Sequence, residues 1–152
     1  MKKTSRSRST STSSIKKSRK KSFAKTVERK PRSEEEYRHS TYASINSRVG
    51  KGSYKKIKNL FDQQTWNRWF NENLPDLRKL IEDGKIPSIE RIDSHGNYEP
   101  QNCIWLPNKL NQALGRVHYY EKMADSSRSY CSKHLDDIPE NLRDYYRTLY
   151  DL

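Results

Sequence analysis

The stretch from Ser88 to Arg116, SIERIDSHGNYEPQNCIWLPNKLNQALGR, gathers much of what this sequence offers for chemistry. Glu90 and Asp93 bring carboxylates, Arg91 a guanidinium, His95 an imidazole, and Asn102 and Asn111 carboxamides. A guanidinium is charged at any working pH; it can grip a phosphate through paired N–H donors but cannot serve as a proton acceptor. An imidazole can, so His95, and after it His118, are the side chains here suited to general-base work. Asp93 stands before Ser94-His95-Gly96, where it serves equally as a turn former and as an oxygen ligand. Cys103, beside Ile104, reads as a small buried hydrophobe. Cys131 and His134 have a Cys-x-x-His spacing but no second pair to close a zinc site.

Positioning these groups falls to short elements. From Pro87 the pattern turns from helical to partly alternating, so Ser88–Asp93 reads as a strand, 94–101 as a loop and Asn102–Leu106 as a second strand. Pro107 or Asn108 then opens a helix with Leu110, Leu114 and Val117 on one face. Upstream, Ser33 with Glu36 three residues on has the spacing of a capping box, and the helix it starts ends at Gly50 and Gly52. Trp66, Trp69 and Phe70 share one face of a second helical pattern that runs through Leu80 and Ile81 to Asp83-Gly84. These rings form the expected core. The segment from Glu121 is polar, and a last helix begins near Ile138-Pro139-Glu140, with Leu142, Tyr145, Tyr146 and Leu149 placed to dock.

The charge is unevenly spread. Residues 1–32 carry 13 of the 31 Lys and Arg side chains and one of the 19 acids, so the other 120 residues balance 18 against 18. The arm, almost all Ser, Thr, Lys and Arg at its start, has nothing to bury and is expected to be disordered in isolation. Its clusters Lys16-Lys17 and Arg19-Lys20-Lys21 suit phosphate neutralisation without sequence reading. A localisation signal and a solubilising tail are the other readings of such a run. No apolar run is long enough to span a bilayer, the N-terminus has no apolar signal-peptide core, and two cysteines cannot build a disulfide framework.

The 88–116 run resembles a pattern of the HNH (ββα-metal, His-Me finger) nuclease superfamily common in phages and mobile elements, approximately S-[IL]-D-R-I-D-N-x-G-N-Y-x-P-x-N-C-R-W followed by a helix bearing Gln or Asn. Ser88, Ile89, Arg91, Ile92, Asp93, Gly96, Asn97, Tyr98, Pro100, Asn102, Cys103 and Trp105 match it. The resemblance implies an α+β fold: a small ββα finger packed on aromatic-rich helices, with the disordered basic arm in front. The segments are then 1–32 for the arm, 33–86 for the helical region, 87–120 for the finger, and 121–152 for a linker and helix.

It also implies roles. Glu90 takes the acidic first-strand metal position and Asn111 the helix position, and such a pair suits Mg²⁺. Asn102 matches the asparagine that fixes the loop and orients the base. The chain departs from the pattern where active members have Asp-His: it has Glu90-Arg91, and Arg91 cannot be the base. Arg91 and Arg116 are then expected to contact nucleic acid beside the arm, and His95 to stand in for the base. A metal-dependent DNA endonuclease in the host cytoplasm of a phage or mobile element is the expectation. A degenerate finger kept for nucleic-acid binding, associated with a virion, is the alternative, and a protein-docking role for Tyr145, Tyr146 and Tyr150 the third.

Overall fold

The computed structural model describes residues 32–119 and 124–152. The basic clusters at Lys16, Lys17, Arg19, Lys20 and Lys21, and with them the expectation of a disordered arm, lie outside the described residues.

Helix α1 (Glu34–Arg48) starts where the sequence predicts. Ser33 Oγ accepts from the Glu36 amide at 3.2 Å, and the Glu36 carboxylate accepts from the Ser33 amide at 2.6 Å. Two otherwise orphaned donors are thereby satisfied, and three glutamates in the first turn complement the helix dipole. Asp62 caps helix α2 (Gln63–Glu72) by accepting from the Thr65 amide at 2.7 Å, which holds its carboxyl below the usual range.

The predicted single helix through 66–81 is in fact two. Asn73 closes α2 with its side-chain amide on the Trp69 carbonyl, and α3 (Leu74–Glu82) sets off again with Pro75 in its first turn. Proline lacks an amide hydrogen, so it fits only where no helical donor is required.

Strands β1 (Pro87–Arg91) and β2 (Cys103–Pro107) pair antiparallel, with Glu90 opposite Ile104 and Ile89 opposite Trp105. Helix α4 (Asn108–Tyr119) follows at once, anchored where the Asn108 amide donates to the Ile86 carbonyl at 2.7 Å. The molecule is thus α+β, mostly helical, with one two-stranded antiparallel sheet.

The polar stretch expected as linker contains a helix, α5 (Ala124–Lys133), before the final α6 (Glu140–Tyr150). Ala124, Ser127 and Cys131 are buried on one side of α5. Small residues at helical spacing allow a close approach to α4 but carry little hydropathy, so the signal is weak in sequence. On α6, Tyr146 and Tyr150 are buried and Tyr145 and Leu149 are 43% and 46% exposed. The register of burial therefore runs through 142, 146 and 150, and two of the three tyrosines expected for partner docking belong to the core instead.

The ribbon separates two hydrophobic clusters. Ile89, Cys103 and Trp105 join Trp66, Trp69, Phe70 and Leu77 on one face. Ile104 and Leu106 join Leu110, Leu114, Ile138 and Tyr146 on the other. Both cysteines are buried and unbridged, one in each cluster. Among the described residues no helix is long and apolar enough to cross a membrane.

Candidate functional site

The loop between the strands is built around Asn102. Its Oδ1 accepts from the Asp93 amide at 2.7 Å, and its Nδ2 donates to the Asp93 and Asn97 carbonyls at 3.1 and 2.9 Å. One carboxamide thus holds both ends of the turn, the loop-fixing task expected of this residue. Gly96 is required for it: a Cβ there would meet Asn102 Nδ2 at 2.6 Å. The loop is tied outward as well. Asn97 Oδ1 accepts from the Lys58 amide at 2.9 Å, and backbone bonds join Tyr98 to Lys58 and Leu60.

Arg91 lies on the opposite side of β1 from Glu90, as strand alternation requires. It is only 8% exposed. Its guanidinium lies beside the stacked rings of Tyr54 and Tyr98, 5.1 and 5.0 Å from their centroids, which are 6.5 Å apart, and Nη1 donates to the Gly96 carbonyl at 2.6 Å. Arg91, expected to contact phosphate, thus has intramolecular partners for its guanidinium. Buried guanidinium needs donors matched and a polarisable neighbour, and the two tyrosines and Gly96 supply both. Arg48 reaches the same pair of rings, donating to Tyr98 Oη at 3.4 Å and to Ser44 Oγ at 2.6 Å.

Glu90 faces α4 and α6. Part of its surface stays open, yet burial pushes its carboxyl up to about 7 despite the opposing pull of Arg91 and Arg48. Among the described residues no hydrogen bond or ion pair reaches it. The Tyr146 hydroxyl, within electrostatic reach of it, is fully buried and also has no hydrogen-bond partner.

Asn111 is fastened to the same strand. Its Nδ2 donates to Ser88 Oγ at 2.9 Å and to the Ile89 carbonyl at 3.0 Å, which places the carboxamide against the residues just before Glu90. Its Oδ1 accepts no hydrogen bond among the described residues. A cleft of about 490 Å³ opens beside Asn111, between α1 and the β1–α4 face, with Arg32, Arg48, Ser88 and Gln112 on its walls.

Neither a family model, nor a curated protein, nor a solved structure matches the chain. The geometry is therefore the whole of the case. Asn111 on α4 is held to Ser88 and the Ile89 backbone, the residues that precede Glu90 on β1. A carboxylate and a carboxamide oxygen are hard donors, fitting a cation that keeps several waters. Among the described residues no three His, Cys, Asp or Glu side chains gather into a metal cluster.

His95 stands in the loop with a side chain 79% exposed. Its amide donates to Asp93 Oδ1 at 2.9 Å, the turn-forming role open to that aspartate. Its ring lies 5.4 Å from that of His118 near the end of α4. Arg116, half-buried on α4, comes within electrostatic reach of the Cys131 thiol, which burial raises to about 11. Sequence reasoning missed Arg48 and the Tyr146 hydroxyl. Arg48 stands in an ordinary helical run, and a tyrosine at a core position gives no sign that its oxygen will lack a partner.

Proposed function

We propose that β1, β2 and α4 form an HNH-like finger and that the chain is a metal-dependent DNA endonuclease. The observation that supports this most is the pair on neighbouring positions of one strand: Glu90, a carboxyl with no partner among the described residues, and Asn111, tethered to Ser88 and Ile89 with its Oδ1 unused. A partly buried carboxyl without a partner is costly to ionise and is a candidate for a functional role. When bound, a divalent cation there supplies positive charge for a scissile phosphate and its leaving oxygen.

Around that pair the chain's residues have definable tasks. Asn111 holds its carboxamide in place through Ser88 and the strand backbone, and Asn102 fixes the turn that carries His95. Arg32 and Arg48 give the adjoining cleft positive charge for a phosphate-bearing strand. The basic arm adds affinity that does not depend on sequence. His95 is the imidazole for proton transfer, since Arg91 stands where the resemblance expects the base.

A second reading, a finger that binds nucleic acid without cutting it, is favoured by Arg91 itself. The residue at the base position is buried beside the stacked Tyr54 and Tyr98 rings and serves the fold. Supercoiled plasmid incubated with the full chain and Mg²⁺ or Mn²⁺ separates the two. Nicking that requires the metal and is lost in a Glu90→Gln, Asn111→Ala double variant is the expected result. Plasmid bound and shifted in a gel, yet never nicked with either metal, overturns the endonuclease and leaves the binding finger.

A further inference from the structure

We propose that His95 and His118 form a two-histidine site for a borderline divalent transition ion, Zn²⁺ above all, that staples the inter-strand loop to the end of α4. The site is separate from the Glu90–Asn111 pair: His118 lies seven residues beyond Asn111, about 10 Å along the helix axis.

The distances carry the argument. A zinc–nitrogen bond is about 2.0–2.1 Å, which puts the ion about 3.2 Å from an imidazole centroid. Two imidazoles on one tetrahedral ion then have centroids about 5.2 Å apart. The His95 and His118 centroids are 5.4 Å apart, with the ring planes at 69°. Edge-to-face ring packing spans about 4.5–7 Å and meets the same separation, so the metal titration below is what tells the two apart. The rings come from elements distant in sequence and are both exposed, so an ion can reach them from solvent.

A second observation concerns orientation. Asp93 Oδ1 lies 3.7 Å from His95 Nδ1 and is held in place by the His95 amide at 2.9 Å. Metal-bound histidines commonly present one ring nitrogen to the ion and the other to a carboxylate, which fixes the ring and raises its basicity. Asp93 is placed for that role, leaving Nε2 of His95 for the ion. Water completes the coordination. Imidazole ligands suit Zn²⁺, Co²⁺, Ni²⁺ and Cu²⁺ and discriminate against Mg²⁺. Residues 1–31 contain no histidine or cysteine, so the arm does not supply competing ligands of this kind.

Binding would connect the loop that Asn102 organises to the helix that holds Asn111. It would also withdraw His95 from proton transfer, and it stands whether or not the chain cleaves DNA.

The test uses the full, untagged chain titrated with CoCl₂ and ZnCl₂. Cobalt should develop a visible absorption band with an affinity in the micromolar range, and zinc should displace it. Saturating zinc should raise Tm by about 5 °C, the size expected when an ion binds only the folded state. His95→Ala and His118→Ala should each weaken cobalt binding at least about 10-fold, while His134→Ala leaves it unchanged. Asp93→Asn should weaken it less than either histidine variant. The exposed positions make misfolding of the variants easy to exclude by circular dichroism. No cobalt band in the wild-type chain, or binding equal in all variants, overturns the site. Magnesium-dependent nicking by a wild-type chain that develops no cobalt band would leave the endonuclease standing while the staple fails, so the two readings separate.

Discussion

On one face of the β1–β2 ribbon the chain packs tryptophan and phenylalanine rings against one another; on the other it packs small and aliphatic side chains and two stacked tyrosines beside a carboxyl. Trp66 is fully buried, with Tyr42, Phe61, Trp69 and Phe70 all within 5.9 Å of it by ring centroid. Even the cations there are absorbed by the packing: Arg91 lies beside the stacked Tyr54 and Tyr98 rings, and Arg38 over Phe70. The opposite face holds Ala113, Leu114 and Cys131, with Glu90 and the Tyr146 hydroxyl among them lacking hydrogen bonds. Among the described residues both regions leave buried polar atoms without a hydrogen-bond partner, Arg38 Nε and Trp105 Nε1 beside the rings and the Tyr146 hydroxyl opposite. What sets the second face apart is the Glu90 carboxyl, and that is where a ligand has most to gain.

Truncation gives the largest test of this contrast. Trp66→Ala should lower stability by about 3–5 kcal/mol, because it removes a ring at the centre of a cluster that has no small neighbour able to collapse into the space. Cys131→Ala, equally buried in the other cluster, should cost about 1 kcal/mol. Chemical denaturation measures both. Equal losses would erase the distinction between the clusters.

The next effect depends on pH. Glu90 has a carboxyl near 7 in the folded chain against an ordinary 4.5. Between those values the unfolded chain has already lost the proton while the folded chain keeps it. Stability contributed by the neutral carboxyl is therefore complete below about pH 4.5 and is lost as pH rises through about 7. Glu90→Gln removes the charge and should raise stability at pH 8 by about 1–3 kcal/mol, with little gain at pH 4.5. Melting curves across that interval check it. A gain independent of pH would mean that the carboxylate is solvated after all, and the open face would lose its main feature.

How much of this could be read beforehand depends on how each element is specified. The cap at Ser33, the strand–loop–strand–helix order over 87–119 and the burial of Trp105 rest on local chemistry and period, and the structure has all three. The break at Asn73 escaped notice because the apolar spacing continues across it. Helix α5 was hidden because its buried stripe is Ala124, Ser127 and Cys131, residues that hydropathy counts as weak or polar. At the site, Asn102 as loop holder was legible because its task lies within ten residues of chain. Arg91 was not, since only the tertiary approach of Tyr54 makes a buried guanidinium tolerable. The same holds for His95 and His118, whose meeting depends on how α4 runs beside β1.

The smallest effect concerns the Tyr146 hydroxyl. The ring is fully buried and stacked on Tyr150 at 5.7 Å, while the oxygen has no hydrogen-bond partner. Burial and the nearby Glu90 carboxylate both disfavour its ionisation, so the group is a neutral phenol taken out of water without compensation. Tyr146→Phe keeps the stack and deletes only the oxygen. An unpartnered buried hydroxyl costs roughly 1 kcal/mol or more, so the variant should be neutral or more stable by up to about 1 kcal/mol. Made together with Glu90→Gln, the gain should be non-additive if the two groups sense each other across the open face, and additive if they do not. A clear loss of stability in Tyr146→Phe would mean the hydroxyl has a partner in solution, such as a buried water shared with Glu90, and the phenol would then not be uncompensated.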